Sequence, residues 1–377
     1  WKDYLSIFFY YQNDINYCLW YSFINMSNNI IKKKKIGSTQ LEITELGMGT
    51  APIGGWPIEV TPENANNTLD RSWNKGIRYF DTAPLYGAGM AEERLGDFLS
   101  QKQRDDFAVA TKVGRIIVPS KTGDPKFKGS PKDKEPQFDF SYDGAMRSFE
   151  MSLQRLKLDR VDVLHLHDPD THPDHLDQAR KGAIKAMMKL KDQKVVKALG
   201  CGLNQNEMLI ELAKEGCFDC FLLAGRYTLL DQSSLDKLIP ICISNNISLI
   251  LGGVFNSGIL IDPSPDTYFD YTKLDSNWYE NAKKSLVRFP KDFESDEYWL
   301  NKAYKLKDIC NNFDISLKSA AIQFPYGNDI VASSILGMAS VNEVDENIED
   351  YDKKIPIEFW NEIKSQGLID KKSPLKF

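Results

Sequence analysis

Four side chains with acid–base properties follow apolar stretches in the first half of the chain: Asp81, Tyr86, Lys112 and His167. A free phenol has a pKa of about 10, so it carries protons poorly at neutral pH. A neighbouring ammonium group lowers that pKa, an aspartate keeps the ammonium charged and in place, and an imidazole can orient a carbonyl oxygen. Together the four residue types predict reversible reduction of a carbonyl group, with Tyr86 carrying the proton.

Each of these residues also has an ordinary structural interpretation. Asp81 and Lys112 could form a structural ion pair. Tyr86 could be an aromatic side chain at a rim, and His167 a hydrogen-bonded residue at a strand end. Their placement at the ends of consecutive predicted strands favours the catalytic interpretation. His165, one layer deeper on the same strand face, is expected to be a core histidine whose hydrogen bonds are satisfied.

The elements that must position these residues alternate along the chain. From Leu46 onward, short apolar stretches alternate with amphipathic helical patterns. Strict alternation implies parallel strands with right-handed crossovers, and eight such units in roughly 300 residues predict a (β/α)8 TIM barrel. The C-terminal strand ends of a barrel meet at one mouth, which would bring the four side chains together. Predicted strands cover 46–50, 77–81, 107–112, 161–167, 197–201, 219–223, 247–251 and 330–336, and predicted helices cover 62–75, 91–102, 141–157, 175–193, 205–215, 232–245 and 296–324, with more helix after 340.

An open, doubly wound sheet is the alternative fold. It needs a glycine-rich turn between its first strand and helix, and the glycines of 47–54 superficially supply one. However, Pro52 lacks the amide that would bind a phosphate, and Trp56 and Pro57 stand where a helix should begin. The barrel is therefore favoured.

The N-terminal part is predicted to lie outside the repeating pattern. Residues 32–43 have the pattern of two short strands joined by a turn, and we expect this β-hairpin to close the bottom of the barrel. Its four lysines are interpreted as a solvated edge. The chain begins at Trp1, and Met26 has the look of a natural start. We expect residues 1–25 to be a non-core extension and 26–377 to form a single domain.

Composition excludes several classes of partner. The formal net charge of −6 argues against nucleic acid, because phosphate binding needs a basic surface. No apolar run approaches the ~20 residues of a membrane span. The six cysteines are sparse, and the pair Cys217 and Cys220 lacks a second pair or a nearby histidine, so no metal site is expected. We expect a cytoplasmic protein, a monomer or weak homodimer, with a small-molecule sugar or aldehyde as its partner.

Two connections are longer than a barrel requires. Residues 116–140 carry four prolines and several lysines, and residues 254–293 follow the seventh predicted strand. Both leave C-terminal strand ends, where barrel enzymes place their sites. Both are expected to cover a substrate or a cofactor.

Residues 30–367 resemble an aldo-keto reductase, and Asp81, Tyr86, Lys112 and His167 match the catalytic tetrad of that superfamily. Further matches are FDTA at 80–83 with YG at 86–87, and SLQRLKLD at 152–159. The segments HDPD at 167–170, GCGLNQ at 200–205 and GRYTLL at 225–230 are most similar to the D-threo-aldose (L-fucose) 1-dehydrogenase branch, with L-galactose and pyridoxal dehydrogenases also similar. The resemblance implies that a sugar hemiacetal is oxidised at C1 to a lactone, with NAD(P)⁺ taking the hydride.

The resemblance also implies a set of cofactor contacts. Tyr227 matches an aromatic residue that stacks on the nicotinamide, residues 253–258 match a loop around the pyrophosphate, and residues after 336 match the segment that holds the adenosine end. The implied contacts are Gly49, Thr50, Gly202, Asn204, Tyr227, Gly253, Val254, Phe255, Asn256, Ser257, Gly258, Gly337, Ser340, Glu343, Glu346 and Asn347.

Three positions depart from the pattern of the family. Gly202 and Leu203 replace the Ser-Asn pair that grips the carboxamide, so that either Asn204 substitutes or nothing does. Ala224 stands where many relatives have a glutamine. Glu343 occupies the position that often carries an arginine for a 2′-phosphate, and a carboxylate there would repel that phosphate. We therefore expect NAD rather than NADP as cofactor.

Two other functions stay open at this point. One is a general NADPH-dependent aldehyde or ketone reductase. The other, of a different class, is a nucleotide-binding regulatory subunit on a retained barrel. The complete tetrad speaks against the second.

Overall fold

The parallel strands predicted by the sequence close into an eight-stranded barrel. The computed structural model describes residues 31–264 and 296–375, so the predicted extension 1–25 lies outside the described residues. The described strands are β1 (Lys33–Lys35), β2 (Glu42–Thr44), β3 (Leu46–Gly49), β4 (Tyr79–Asp81), β5 (Ala108–Val113), β6 (Arg115–Pro119), β7 (Lys134–Phe138), β8 (Val163–His167), β9 (Ala198–Leu203), β10 (Cys220–Ala224), β11 (Ser248–Gly252) and β12 (Val331–Gly337).

The barrel strands are neighbours in chain order. They run β3, β4, β5, β8, β9, β10, β11 and β12, and β12 pairs with β3 to close the cylinder. Each of the eight begins and ends within two residues of its predicted limits. The prediction of a (β/α)8 barrel is confirmed.

Helices follow the barrel strands on the outside, and hydroxyl side chains open several of them. Thr61 accepts a hydrogen bond from the amide of Asn64, and Ser141 accepts one from that of Gly144, as expected for helix N-caps. The α-helices are α1 (Pro62–Asn74), α2 (Met90–Leu99), α3 (Tyr142–Leu156), α4 (His175–Lys181), α5 (Ala183–Asp192), α6 (Asn206–Leu212), α7 (Leu238–Ser244), α8 (Asp296–Asn312), α9 (Leu317–Gln323), α10 (Val341–Asp352) and α11 (Ile357–Ser365).

Two predicted helices are interrupted. The helix predicted over 175–193 breaks at Gly182, whose backbone packs so closely on the residues before α3 that an added Cβ would lie 2.6 Å from the Tyr142 amide nitrogen. The helix predicted over 296–324 stops at Asn312, because Asp314 takes a left-handed conformation. A second helix begins after Ser316, which is its N-cap. No helix in the two described ranges is long and apolar enough to cross a membrane.

The N-terminal hairpin closes the bottom of the barrel, as predicted. Strands β1 and β2 pair antiparallel, and the buried side chains Ile36, Leu41 and Ile43 join the apolar cluster inside the barrel. The amide of Gly37 donates to the Ser248 hydroxyl over 2.8 Å, which ties the turn to the start of β11. The cavity lined by the predicted tetrad lies at the opposite end of the barrel.

The long connection 116–140 is more ordered than its composition suggests. Its two ends pair as an antiparallel hairpin of β6 and β7. Its tip reaches the barrel mouth, where the amide of Lys128 donates to the Gly55 carbonyl over 2.8 Å and the ring of Phe127 lies 6.1 Å from that of Tyr86. Of the second long connection, residues 265–293 lie outside the described residues.

Candidate active site

Lys112 is the buried centre of the site at the barrel mouth. Its ammonium donates to Asp81 Oδ1 over 2.5 Å and to the Thr82 carbonyl over 2.8 Å, and its side chain is 1% exposed. Burying a lone ammonium group would be costly, and the aspartate at the end of the neighbouring strand offsets that cost. Burial lowers the pKa of Lys112, but Asp81 and Tyr86 outweigh it and raise that pKa above its ordinary value. The lysine is therefore charged at neutral pH.

Tyr86 lies against this ammonium on the turn after β4. Lys112 Nζ is 5.0 Å from the centroid of the Tyr86 ring, and the ring meets that of His167 edge-on at 6.2 Å. Burial raises the pKa of Tyr86 above its ordinary value, and although Lys112 opposes this effect, it does not reverse it. Lys112 lowers the pKa of Tyr86 as predicted, but burial raises it more, so that pKa does not fall below its ordinary value.

His167 ends β8 and completes the set. Burial lowers its pKa well below the ordinary value; Asp168 opposes this effect, and the nearby cations of Arg115 and Lys112 add to it. The imidazole is therefore neutral at pH 7 and has one N–H to donate. Its Nε2 atom lies 3.7 Å from Asp168 Oδ2. A carbonyl oxygen at the mouth could accept the hydrogen bond of a neutral histidine placed in this way.

His165 differs from its expected role. It is fully buried, and neither ring nitrogen makes a hydrogen bond to any residue that the structure describes. Its Nε2 is 4.0 Å from Asp81 Oδ2, too far for a direct hydrogen bond. The ring occupies space beside Gly200, where an added Cβ would lie 2.3 Å from His165 Nδ1. The prediction of a satisfied core histidine is wrong, because the barrel interior offers the ring space but no partner.

A cavity of about 270 Å³ opens above the tetrad. All four tetrad residues line it. Glycines form much of its wall, so a flat ring can approach the backbone without meeting side chains, and this suits a nicotinamide. Of the predicted cofactor contacts, Gly49, Gly202, Asn204, Gly253 and Gly337 line the cavity; the other lining residues are Ala51, Pro52, Asp168, Leu203, Leu222, Ala224, Gly252 and Ile335.

The segment 253–258 turns sharply after β11. Gly253, Asn256, Ser257 and Gly258 all take left-handed conformations, and two of these four are not glycine. Successive turns of this kind can direct backbone amides toward an anion. Val254 is buried and Phe255 is partly buried. The pyrophosphate role of this segment stays a prediction.

The predicted adenosine contacts surround the start of α10. Ser340 accepts a hydrogen bond from the Glu343 amide over 3.2 Å, and the Glu343 carboxylate accepts one from the Ala339 amide over 2.8 Å. This reciprocal arrangement is a variant of the capping box, in which the carboxylate binds the amide of the residue before the N-cap Ser340. Glu346 pairs with Lys318 at 3.0 Å, and Asn347 is buried. The Glu343 carboxylate thus occupies the helix N-terminus, where anions bind best.

Two further predicted contacts, Tyr227 and Thr50, are buried and do not line the cavity. Tyr227 is 1% exposed, its ring packs on Phe324 at 5.5 Å, and burial raises its pKa to about 12. It is therefore a core residue that does not line the cavity, and its stacking on the nicotinamide stays a prediction. Thr50 is buried and donates to the Asp81 carbonyl over 3.0 Å, so it supports the end of β4.

Sequence reasoning missed two features of the mouth. Asp168 lines the cavity and pairs with Arg115 of β6 at 3.0 Å. Its position directly after a strand-end histidine was a usable signal. Phe127 at the tip of the β6–β7 hairpin packs beside Tyr86 and Trp56. No short-range pattern indicated this second contact.

Comparison with known proteins agrees with this geometry. The model of the Aldo/keto reductase family matches residues 45–367. Pyridoxal 4-dehydrogenase of Microbacterium luteolum is 35% identical over 357 residues, covering 90% of this chain and 98% of that protein. D-threo-aldose 1-dehydrogenase of a Pseudomonas species is 35% identical over 337 residues, covering 87% and 95%.

A solved structure shows the same fold. An aldo-keto reductase from Bacillus halodurans, in its holo form, aligns with a TM-score of 0.67 at 22% identity, covering 90% of this chain and 97% of that chain. The matches favour neither the general aldehyde reductase nor the regulatory subunit. The chain is therefore a member of the aldo/keto reductase family and an oxidoreductase that works with a nicotinamide cofactor.

Proposed function

We propose that this chain oxidises the anomeric carbon of an aldose, in its cyclic hemiacetal form, to a lactone, with NAD⁺ as the preferred hydride acceptor. The observation that carries the proposal is the set at the barrel mouth, where Lys112 bonds to Asp81 and lies against the ring of Tyr86. The 35% identity to a D-threo-aldose 1-dehydrogenase supports this substrate class.

Pyridoxal is the second candidate substrate. A pyridoxal 4-dehydrogenase is as similar to this chain as the aldose enzyme is, at 35% identity. Pyridoxal and the aldoses are hydroxyaldehydes that close into a cyclic hemiacetal. The same acid–base step therefore serves both.

The roles of the four residues follow from their positions. Tyr86 takes the proton of the anomeric hydroxyl as the C1–H bond breaks. Lys112 stabilises the tyrosinate that accepts this proton and thereby becomes a neutral phenol, and Asp81 holds Lys112 in place. The neutral imidazole of His167 donates a hydrogen bond to the reacting oxygen. Bound NAD⁺ supplies the acceptor for the hydride that leaves C1. In the reverse direction Tyr86 returns the proton.

The residues that would hold the cofactor are those around the glycine-lined cavity. Gly49, Gly202, Gly253 and Gly337 leave room for a flat ring, and Asn204 offers an amide. Segment 253–258 would meet the pyrophosphate. The preference for NAD⁺ is supported by Glu343, whose negative charge at the start of α10 would repel a 2′-phosphate.

The substitution Tyr86→Phe tests the mechanism. It removes the proton carrier and keeps the ring, so kcat for aldose oxidation should fall by about 100-fold or more. The Kd for NADH, measured by fluorescence titration, should change by less than about threefold, because that affinity does not depend on the proton. Tyr142→Phe is the matched control, since Tyr142 is 40% exposed on α3. A Tyr86→Phe enzyme that keeps most of its kcat would contradict the mechanism.

A comparison of substrates separates the proposal from its alternatives. The proposal expects a higher kcat/KM for NAD⁺ with L-fucose or pyridoxal than for NADPH with an aromatic aldehyde. A general reductase would show the reverse order. A regulatory subunit would show no steady turnover of any of them.

The remaining predictions from the sequence go with this proposal. They are a small-molecule substrate, a cytoplasmic location, and a monomer or weak homodimer. The five cysteines in the described ranges are free thiols, which supports a reducing compartment. Size-exclusion chromatography across a range of concentrations would establish the oligomeric state.

A further inference from the structure

We propose that Asp168, held by Arg115, selects substrates that carry a hydroxyl group on the carbon next to the reacting carbon. Asp168 lies outside the tetrad and the predicted cofactor contacts, yet it lines the cavity that they share. The proposal rests on the proposed function, because it adds a specificity-determining residue to the same site.

The backbone fixes the position of Asp168. It follows His167 directly and takes a left-handed conformation with φ of 49°, which aspartate tolerates better than most residues. Its amide donates to the Gly202 carbonyl over 3.1 Å, so the turn is tied to the next strand. The side chain is 16% exposed. A carboxylate is thereby held at the edge of the mouth and partly shielded from water.

Arg115 fixes the carboxylate itself. Its guanidinium meets Asp168 Oδ2 at 3.0 Å, and a second nitrogen donates to the His167 carbonyl over 3.4 Å. The same guanidinium stacks over the ring of Phe138 at 4.2 Å, and the arginine is 7% exposed. An arginine held on three sides gives its partner one orientation, so the carboxylate is preorganised.

The carboxylate also lies close to the reacting atoms. Asp168 Oδ2 is 3.7 Å from Nε2 of His167, the residue whose ring would hold the reacting oxygen. A hydroxyl on the adjacent carbon of the substrate would therefore come within reach of Asp168. An ionised carboxylate only accepts hydrogen bonds, so it favours a hydroxyl. A substrate with hydrogen at that carbon would displace water from the carboxylate without replacing the hydrogen bond.

A purely structural ion pair is the competing explanation. Arg115 and Asp168 could serve only to hold the end of β8, and their loss would then lower the activity toward every substrate by the same factor. The two explanations differ in the ratio between two substrates, which a general loss of activity leaves unchanged.

The experiment compares an aldose with its 2-deoxy analogue in the wild-type enzyme and in Asp168→Ala. We expect the wild-type kcat/KM to favour the 2-hydroxy sugar by about tenfold or more, and the variant to lose most of that preference. A wild-type ratio close to one overturns the proposal. A ratio that stays the same in the variant also overturns it, because the ion pair is then only structural.

Two further variants keep the result decisive. Asp174→Ala is the matched control, since Asp174 lies on the same loop with a side chain that is 74% exposed, and its ratio should equal that of the wild type. If Asp168→Ala does not fold, Asp168→Asn replaces it, and the weaker acceptor should reduce the ratio in part. An unchanged ratio in Asp168→Asn would then overturn the proposal.

Failure of the proposed function has a different signature. In that case the wild-type enzyme would oxidise no aldose. The specificity test then uses reduction of 2-hydroxypropanal against propanal with NADH, two aldehydes that differ in one hydroxyl. Loss of that preference in Asp168→Ala would support the role of Asp168, and an equal loss of activity toward both would overturn it.

Discussion

The pKa of Tyr86 is set by opposing effects whose relative size cannot be told from the residue types alone. Burial raises its pKa and Lys112 lowers it, while the charges of Asp81 and Asp168 raise it further. Because burial prevails, the side chain is a neutral phenol at pH 7. It is ready to donate a proton in reduction, and it must lose one before it can act as the base in oxidation.

This difference predicts opposite pH profiles for the two directions. The kcat/KM for aldose oxidation should rise as pH rises toward the raised pKa of Tyr86, by up to about tenfold per pH unit, because the tyrosinate is the active form. The kcat/KM for reduction should stay level over that range and fall only above the pKa. Initial rates between pH 6 and 10 test both. An oxidation profile that levels off near pH 7 would contradict a raised pKa.

The substitution Lys112→Met tests the raised pKa of Tyr86 in a second way. Without the ammonium the tyrosinate loses its stabilising charge, so the rise of the oxidation profile should move to higher pH, and the rate at pH 8 should fall by about 100-fold or more. Lys185→Met, at an exposed position on α5, is the control for loss of a positive charge. Profiles of the wild type and Lys112→Met that coincide would exclude a role for the lysine in the proton transfer.

Some contacts of individual residues could be predicted from the sequence and others could not, and the difference has physical reasons. Asp81 and Lys112 could be paired in advance, because parallel neighbouring strands end at the same mouth. The packing of Tyr227 could not be predicted, because it depends on how far a loop turns toward the core, where its ring packs on Phe324. The isolation of His165 depends on what faces it across the barrel, which no local pattern reveals.

At the scale of elements, the start of α10 connects helix capping with cofactor choice. Glu343 serves as a cap for the Ala339 amide and also places a negative charge at the helix N-terminus. Glutamine can keep the cap without the charge. The two effects can therefore be separated by substitution.

The variant Glu343→Gln should raise the kcat/KM for NADP⁺ relative to NAD⁺ by about fivefold, because it removes a repulsion of the size expected between partly exposed charges. Glu343→Arg should raise the ratio further but should also destabilise the protein by about 1 kcal/mol through loss of the cap. Glu349→Gln, at an exposed position of the same helix, is the control. Equal ratios in the wild type and both Glu343 variants would mean that the position does not face the 2′-phosphate.

The limits of prediction at the element scale follow from burial. The eight barrel strands are buried on both faces, so they stand out as apolar stretches. Strands β6 and β7 form a two-stranded ribbon on the surface, partly exposed and rich in charge, with Pro136 opposite Ile117. Strand β7 has neither the apolar stretch nor the alternation of a barrel strand, and the apolar run 116–118 of β6 ends at a proline, so the sequence suggested a loop.

At the scale of the whole molecule, two buried histidines link stability to pH. Burial lowers the pKa of both His165 and His167 well below the ordinary value. The unfolded chain therefore binds protons at these positions below pH ~6.5, whereas the folded chain does not. Stability is fully present above the unfolded pKa and is lost as pH falls below it.

We expect the free energy of unfolding to fall by up to about 1.4 kcal/mol per pH unit for each of these histidines between pH 6.5 and 5. His165→Asn should make the fall less steep, since it removes one of the two groups. His172→Asn should not, because the His172 side chain is 58% exposed. Urea denaturation at several pH values measures the slope. A slope that His165→Asn leaves unchanged would show that this histidine titrates normally in the folded protein.

The hairpin of β1 and β2 has a consequence for the access of solvent to the barrel interior. Its buried side chains cover the N-terminal end of the interior, so we expect solvent to approach His165 and Asp81 Oδ2 from the mouth. A substrate bound at that mouth would block this approach of solvent. While it is bound, we expect the protons of the buried site to exchange with solvent more slowly than in the free enzyme.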